Sequence, residues 1–115
     1  GLKIAEAASD NEFVAEALNN LAAVKWEQAA YSEAQSLHER GLQMLIRTYG
    51  ERSAEAAISR GNLGGVYEAL GDYTRAEALM LQSLQTLRAH QPKRALELAS
   101  GLRNLADLYS RQGQY

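Results

Sequence analysis

Cysteine is missing from all 115 residues, so neither a disulfide nor a thiol nucleophile is available. Proline occurs once, at Pro92, so long helices meet almost no obligatory breaks. No stretch is rich in valine and isoleucine, and strands are therefore not supported. No apolar run approaches the roughly 20 residues that span a bilayer, so no membrane association is expected. The segment 1–8 is too short, and lacks the basic leader, to serve as a secretory signal. With the missing cysteine, this leads to the expectation of a reducing, cytoplasmic setting. Charge of one sign is also scarce: 12 bases against 14 acids leave a formal −2 with the signs interspersed. That is no footprint for nucleic acid. What remains is 46% hydrophobic and 23% charged, enough apolar material for one folded domain rather than a disordered chain.

The apolar residues recur with a helical period. In the stretch 59–87, Leu63, Val66, Tyr67 and Leu70 share one face at i, i+3, i+4, i+7 spacing. Gly71-Asp72 breaks the pattern, and Ala76, Leu79, Met80, Leu84 and Leu87 restart it. Two amphipathic helices joined by so short a break fold back as an antiparallel hairpin. The hairpin is repeated at a stride of 42: Leu21, Leu63 and Leu105; Asn20, Asn62 and Asn104; Ala22, Gly64 and Ala106; Ala29, Gly71 and Gly113; Tyr31, Tyr73 and Tyr115. So many columns in one register are an internal repeat, and they predict an all-α stack of helix hairpins.

Boundaries follow from caps and breakers. Ser9-Asp10-Asn11-Glu12 has the S-x-x-E form of a capping box, so helix one is expected over 10–28, after a stub at 1–8 that ends a preceding helix. Phe13, Val14, Ala17, Leu18, Leu21 and Val24 should face inward. Helix two is expected over 32–49 with Gly50 as its stop, and helix three from a Ser53 cap to Leu70. Helix four should cover 74–90, ended by Gln91-Pro92, and helix five 94–112. Residues 9–50 and 51–92 then form two repeats, and 93–115 the first half of a third, within a single domain over 1–115. Truncation is favoured over a natural end for the half repeat, which is expected to leave Leu105, Leu108 and Tyr109 uncovered. Gly61, Gly64 and Gly65 each cost about 1 kcal/mol relative to alanine, which predicts that helix three is the least stable of the full helices.

The segments GDYTRAEAL (71–79), NLGGVY (62–67) and NLADLY (104–109) resemble the turn and first-helix signatures of the tetratricopeptide repeat. The 42-residue stride is longer than the common 34 and resembles the kinesin light chain-like subclass. The resemblance implies a right-handed superhelix whose concave side is lined by the first helices, and a role in binding proteins. Repeat one departs from the pattern, with Lys25 in the column of Tyr67 and Ala29 in the column of Gly71. Lys25 is expected to pack its stem and keep its amine in water, and Trp26 to supply the missing aromatic bulk.

Signals for catalysis, metal or a cofactor are weak. His38 falls in the column of Met80 and reads as a seam residue; His90 sits at a helix C-terminus, where a cation suits the dipole. His38-Glu39 lacks the second histidine of a zinc protease, and the glycines at 61–65 lack the lysine of a phosphate loop. No catalytic, cofactor-binding or metal residue is assigned, and the chain is not expected to be an enzyme.

The candidate site is the concave face. Its expected residues are Glu16, Asn19, Asn20, Ala23 and Glu27 in repeat one, Ile58, Asn62, Gly65 and Ala69 in repeat two, and Ser100, Arg103, Asn104, Asp107 and Arg111 in repeat three. By resemblance, the asparagine column would hold the backbone of a bound peptide, since an amide donates and accepts at once. The alternative is that these asparagines tie neighbouring helices together. Arg103 and Arg111 would grip a carboxylate or stand solvated. Three functions compete: a module binding a peptide or partner protein, a structural spacer that self-associates through an uncapped C-terminal edge, and a regulatory or sensor part of a larger protein.

Overall fold

A computed structural model describes residues 2–113, with side chains from residue 11 onward apart from that of residue 12. The described residues form five helices and no strand: α1 (Leu2–Glu27), α2 (Tyr31–Tyr49), α3 (Ala54–Ala69), α4 (Tyr73–Ala89) and α5 (Ala95–Gly113). The closest pairings are α1 with α2 and α3 with α4; α3 also packs on α2 and α5, and α5 on α4. The molecule is 19 Å thick, the depth of two helices laid side by side at about 10 Å each.

The two hairpin turns are built alike. Gly71 has φ 84°, its N–H donates to the Glu68 carbonyl, and the Asp72 N–H donates to that of Tyr67. This is a Schellman ending, with a left-handed residue just past the helix. Forty-two residues earlier, the Ala29 N–H donates to Trp26 and the Ala30 N–H to Lys25, with Ala29 held at φ 61°. The same turn is therefore made by an alanine, which strains it. The remaining junctions use ordinary chemistry. Ser53 accepts from the Ala56 N–H at 3.1 Å, Asp72 accepts from the Arg75 N–H at 3.2 Å, and Gly50 at φ 103° closes α2. Ser53 and Gly50 act as the expected cap and stop, and Asp72 adds a cap to α4.

Several expectations need correction. α1 runs unbroken from Leu2, with no interruption at Ser9. The segment 2–27 contains no glycine or proline to stop a helix, and serine alone is tolerated in a helix interior. The capping-box side chains of Ser9 and Glu12 lie outside the described residues. The expected inward set of α1 is largely exposed: Phe13, Val14, Leu21 and Val24 face solvent, and the buried stripe is Ala15 and Ala22. In α3 the columns of Val14, Ala17, Leu21 and Val24 hold Ala56, Ser59, Leu63 and Val66, all buried, whereas that of Phe13 holds the half-buried Glu55. Leu21 is 47% exposed against 4% for Leu63 and 9% for Leu105. The difference is the helix in front: α3 and α5 each follow a hairpin that covers this flank, whereas α1 packs on α2.

The main core accordingly runs from Leu42 on α2, through Leu63, Tyr67, Leu84 and Leu87, to Leu98 and Leu108 on α5. A smaller cluster joins Ala22, Ala34 and Val66. Leu105 and Leu108 were expected to stand uncovered, yet both are buried in the main core, and the open face of α5 carries Leu102 and Tyr109 instead.

Small residues set the helix spacing. A Cβ on Gly64 would lie 3.0 Å from Met80 Cγ and 3.3 Å from the Ala76 carbonyl; one on Gly41 would lie 3.2 Å from Asn19 Oδ1. Burial opposes the glycine penalty in α3. α3 contributes nine buried residues and packs on three helices. Leu63, Val66 and Tyr67 among them are each worth about 1.5–3 kcal/mol of burial, against about 1 kcal/mol for each glycine.

Candidate functional site

The odd-numbered helices line one open groove of about 860 Å³. It is built mainly on one face of each first helix, with Tyr31 and His38 of α2 and Met80 of α4 reaching it as well. Asn20 comes from α1, Asn62 from α3 and Asn104 from α5, so the asparagine column opens on a single surface. Asn19, Ala23, Glu27, Gly65, Ala69, Asp107 and Arg111 line it as well. Gly65 would find nothing within 4 Å of an added Cβ, so it leaves room in the groove floor, whereas a Cβ on Gly61 would meet Ser83 Oγ at 3.3 Å. Ile58 and Ser100 line a smaller adjoining recess of about 290 Å³, which shares Gly61, Asn62 and Asn104 with the groove. Glu16 and Arg103 line neither and are exposed.

Trp26, Tyr31, Glu68 and His38 also line the groove and lie outside the expected set. Trp26 and Tyr31 meet edge to face across the first turn, with centroids 5.0 Å apart at 68°. This is a favourable aromatic arrangement. Trp26 therefore forms part of the groove wall rather than filling the column of Tyr67. Glu68 forms an ion pair with Arg111 at 3.0 Å, and its side chain is only 10% exposed. Arg111, expected either to grip a carboxylate or to stand solvated, already holds the carboxylate of Glu68 on α3. His38 lies buried at the α1–α2 seam, and its Nδ1–H donates to Asn19 Oδ1 at 3.2 Å. Burial lowers the His38 pKa below the ordinary histidine value, which favours the neutral ring. Asn19 thus serves the seam as well as the groove edge.

Behind the groove, Tyr67 ties three helices together. Its hydroxyl donates to Glu39 Oε1 at 2.8 Å and accepts from Gln35 Nε2 at 3.2 Å, both on α2. Arg75 of α4 lies 5.7 Å above its ring, within cation–π range. Burial, with the Glu39 carboxylate beside it, raises the phenol pKa. Lys25, in the same column of repeat one, is half-buried and pairs with Glu33 at 3.0 Å across the turn. Its stem packs as expected, but its amine finds a carboxylate.

Among the described residues there is no cluster of three or more histidines, cysteines and carboxylates able to hold a metal. No helix among them is long and apolar enough to cross a membrane. A repeated hairpin, a Schellman turn at a fixed stride and a groove walled by alternate helices together define a helical-repeat protein of the kind that binds other proteins. The chain belongs to the tetratricopeptide repeat family, whose model matches residues 13–89. It is similar to the crystal structure of BtubC (BKLC) from P. vanneervenii, with 27% identity and a TM-score of 0.79. That similarity covers 87% of this chain but 40% of BtubC, so the chain spans well under half the length of that protein. Among curated proteins no relative matches.

Proposed function

We propose that this chain is a protein-interaction module whose groove holds a segment of a partner protein, with Asn20, Asn62 and Asn104 bonding to the segment's backbone. The observation that carries the reading is that one asparagine from each of three successive first helices opens on the same groove. Each amide offers a donor and an acceptor, and their regular spacing suits an extended chain better than a compact small molecule. Residues 9–50 and 51–92 are read as two repeats and 93–115 as the start of a third. The stride of 42 and the likeness to BtubC support placement in the kinesin light chain-like subclass. The groove's role on this reading is recognition rather than catalysis.

A second reading, self-association, is favoured by the exposed Leu102 and Tyr109 on the open face of α5. The two readings are separated by a pull-down from lysate with the Asn62→Ala/Asn104→Ala variant as control, together with light scattering. Loss of captured partner in the variant, with a monomeric chain, supports groove binding. Capture that is unchanged by the double substitution refutes it.

A further inference from the structure

The charge of the groove points to what it selects. Glu27, Glu68 and Asp107 line it against the single guanidinium of Arg111. His38 is kept neutral by burial. The groove therefore holds a formal −2, which is the net charge of the whole chain; the other 11 bases and 11 acids cancel. Arg111 is committed to Glu68 at 3.0 Å. Glu27 and Asp107 have no ion-pair partner among the described residues.

The backbone adds to this field at one end. Glu27, Ala69 and Arg111 stand 42 residues apart, each in the last turn of α1, α3 and α5. Alternate helices of a hairpin stack run the same way, so three helix C-termini converge on that rim. Each carries negative partial charge and favours a cation. Trp26 and Tyr31 form the wall at the same end, beside Glu27. A tryptophan face next to a carboxylate is a good seat for an ammonium or guanidinium.

We propose that the groove selects a peptide segment bearing lysine or arginine, with one cationic side chain seated against Trp26 and Glu27 and a second served by Asp107. This rests on the groove reading above and adds the chemical class of its ligand. It leaves no place for the alternative in which Arg103 and Arg111 grip a carboxylate of the ligand: Arg103 lies outside the groove and Arg111 is already paired.

The test uses random twelve-residue peptides displayed and selected on the full 115-residue chain, then re-read against the Asn62→Ala/Asn104→Ala variant. Affinities of the enriched peptides are measured by emission from Trp26, the only tryptophan. The expected result is asparagine-dependent peptides rich in lysine and arginine. Glu27→Gln and Asp107→Asn should each weaken them about threefold, the range of one exposed charge pair, and the loss should shrink at high salt. Glu77→Gln on α4, outside the groove, removes the same charge and should change nothing. Asparagine-dependent peptides that are neutral or acidic, or equal losses from all three charge variants, overturn the cation preference and leave the groove reading standing. Failure to enrich any asparagine-dependent peptide overturns the groove reading, and the cation preference with it.

Discussion

Replacing Ala29 by glycine should make the protein more stable, although glycine ordinarily destabilises. Ala29 sits at φ 61° in the turn between α1 and α2 and is exposed, so its methyl group contributes no packing that the substitution would lose. Holding an alanine in the left-handed region costs about 1–2 kcal/mol. Glycine removes that strain and adds about 0.4–1 kcal/mol of unfolded-chain entropy. The net gain is about 0.5–1 kcal/mol. The companion change, Gly71→Ala, tests the same geometry in reverse. Gly71 has φ 84° with nothing within 4 Å of an added Cβ, so its loss of about 1 kcal/mol would come from the backbone alone. Urea unfolding followed by circular dichroism reads both. With a slope of about 1–2 kcal/mol/M for a chain of this size, the midpoints should move about 0.5 M in opposite directions. If Ala29→Gly lowers the midpoint, the turn is not strained and the equivalence of the two hairpin turns is wrong.

Gly64 and Gly65 are neighbours that should respond oppositely to alanine. Gly64→Ala crowds Met80 and the Ala76 carbonyl and should cost about 1–3 kcal/mol, whereas Gly65→Ala enters open groove and should gain up to about 1 kcal/mol from helix propensity, as thermal melts would show. Stability should fall on acidification below about pH 6.5. The native state holds His38 at a lowered pKa, so the unfolded chain takes up the proton first, and the contribution present above that pH is lost as the native pKa is approached. His38→Gln should flatten this part of the pH–stability curve; an unchanged curve would exclude His38 as its source. Amide exchange should be slower in the middle of α3 than in α1, despite three glycines in α3, because α3 is covered by α2, α4 and α5. The reverse order would mean that local propensity outweighs burial here.

The hairpin stride was legible because a repeat writes each structural position several times. Leu63, Val66 and Tyr67 needed only their period, and Gly71 and Ser53 only their local chemistry. What escaped was set by neighbours. The exposure of Leu21 depends on whether a helix lies in front of α1, which its own column cannot reveal. The burial of Leu105 and Leu108 depends on how α5 docks. The asparagine column was readable as a periodic feature facing away from the hairpin seam. Trp26 and Tyr31 were not, because their place in the groove depends on how the first turn folds, and Glu68 was not, because it faces α5 of the next hairpin. The pairing of Arg111 with Glu68 joins residues 43 apart, one off the repeat stride, so no comparison of equivalent positions would suggest it.

That bridge has a mechanical consequence. It clamps the joint between the second and third first helices, and the joint before it has no counterpart: the equivalent positions are Trp26 and Ala69, which carry no charge. The curved rod is thus braced by a salt-sensitive strut at one articulation and by apolar packing at the other. Raising ionic strength should loosen the curvature between α3 and α5 while leaving that between α1 and α3 unchanged, so the two halves of the trough would differ in how readily they widen around a guest.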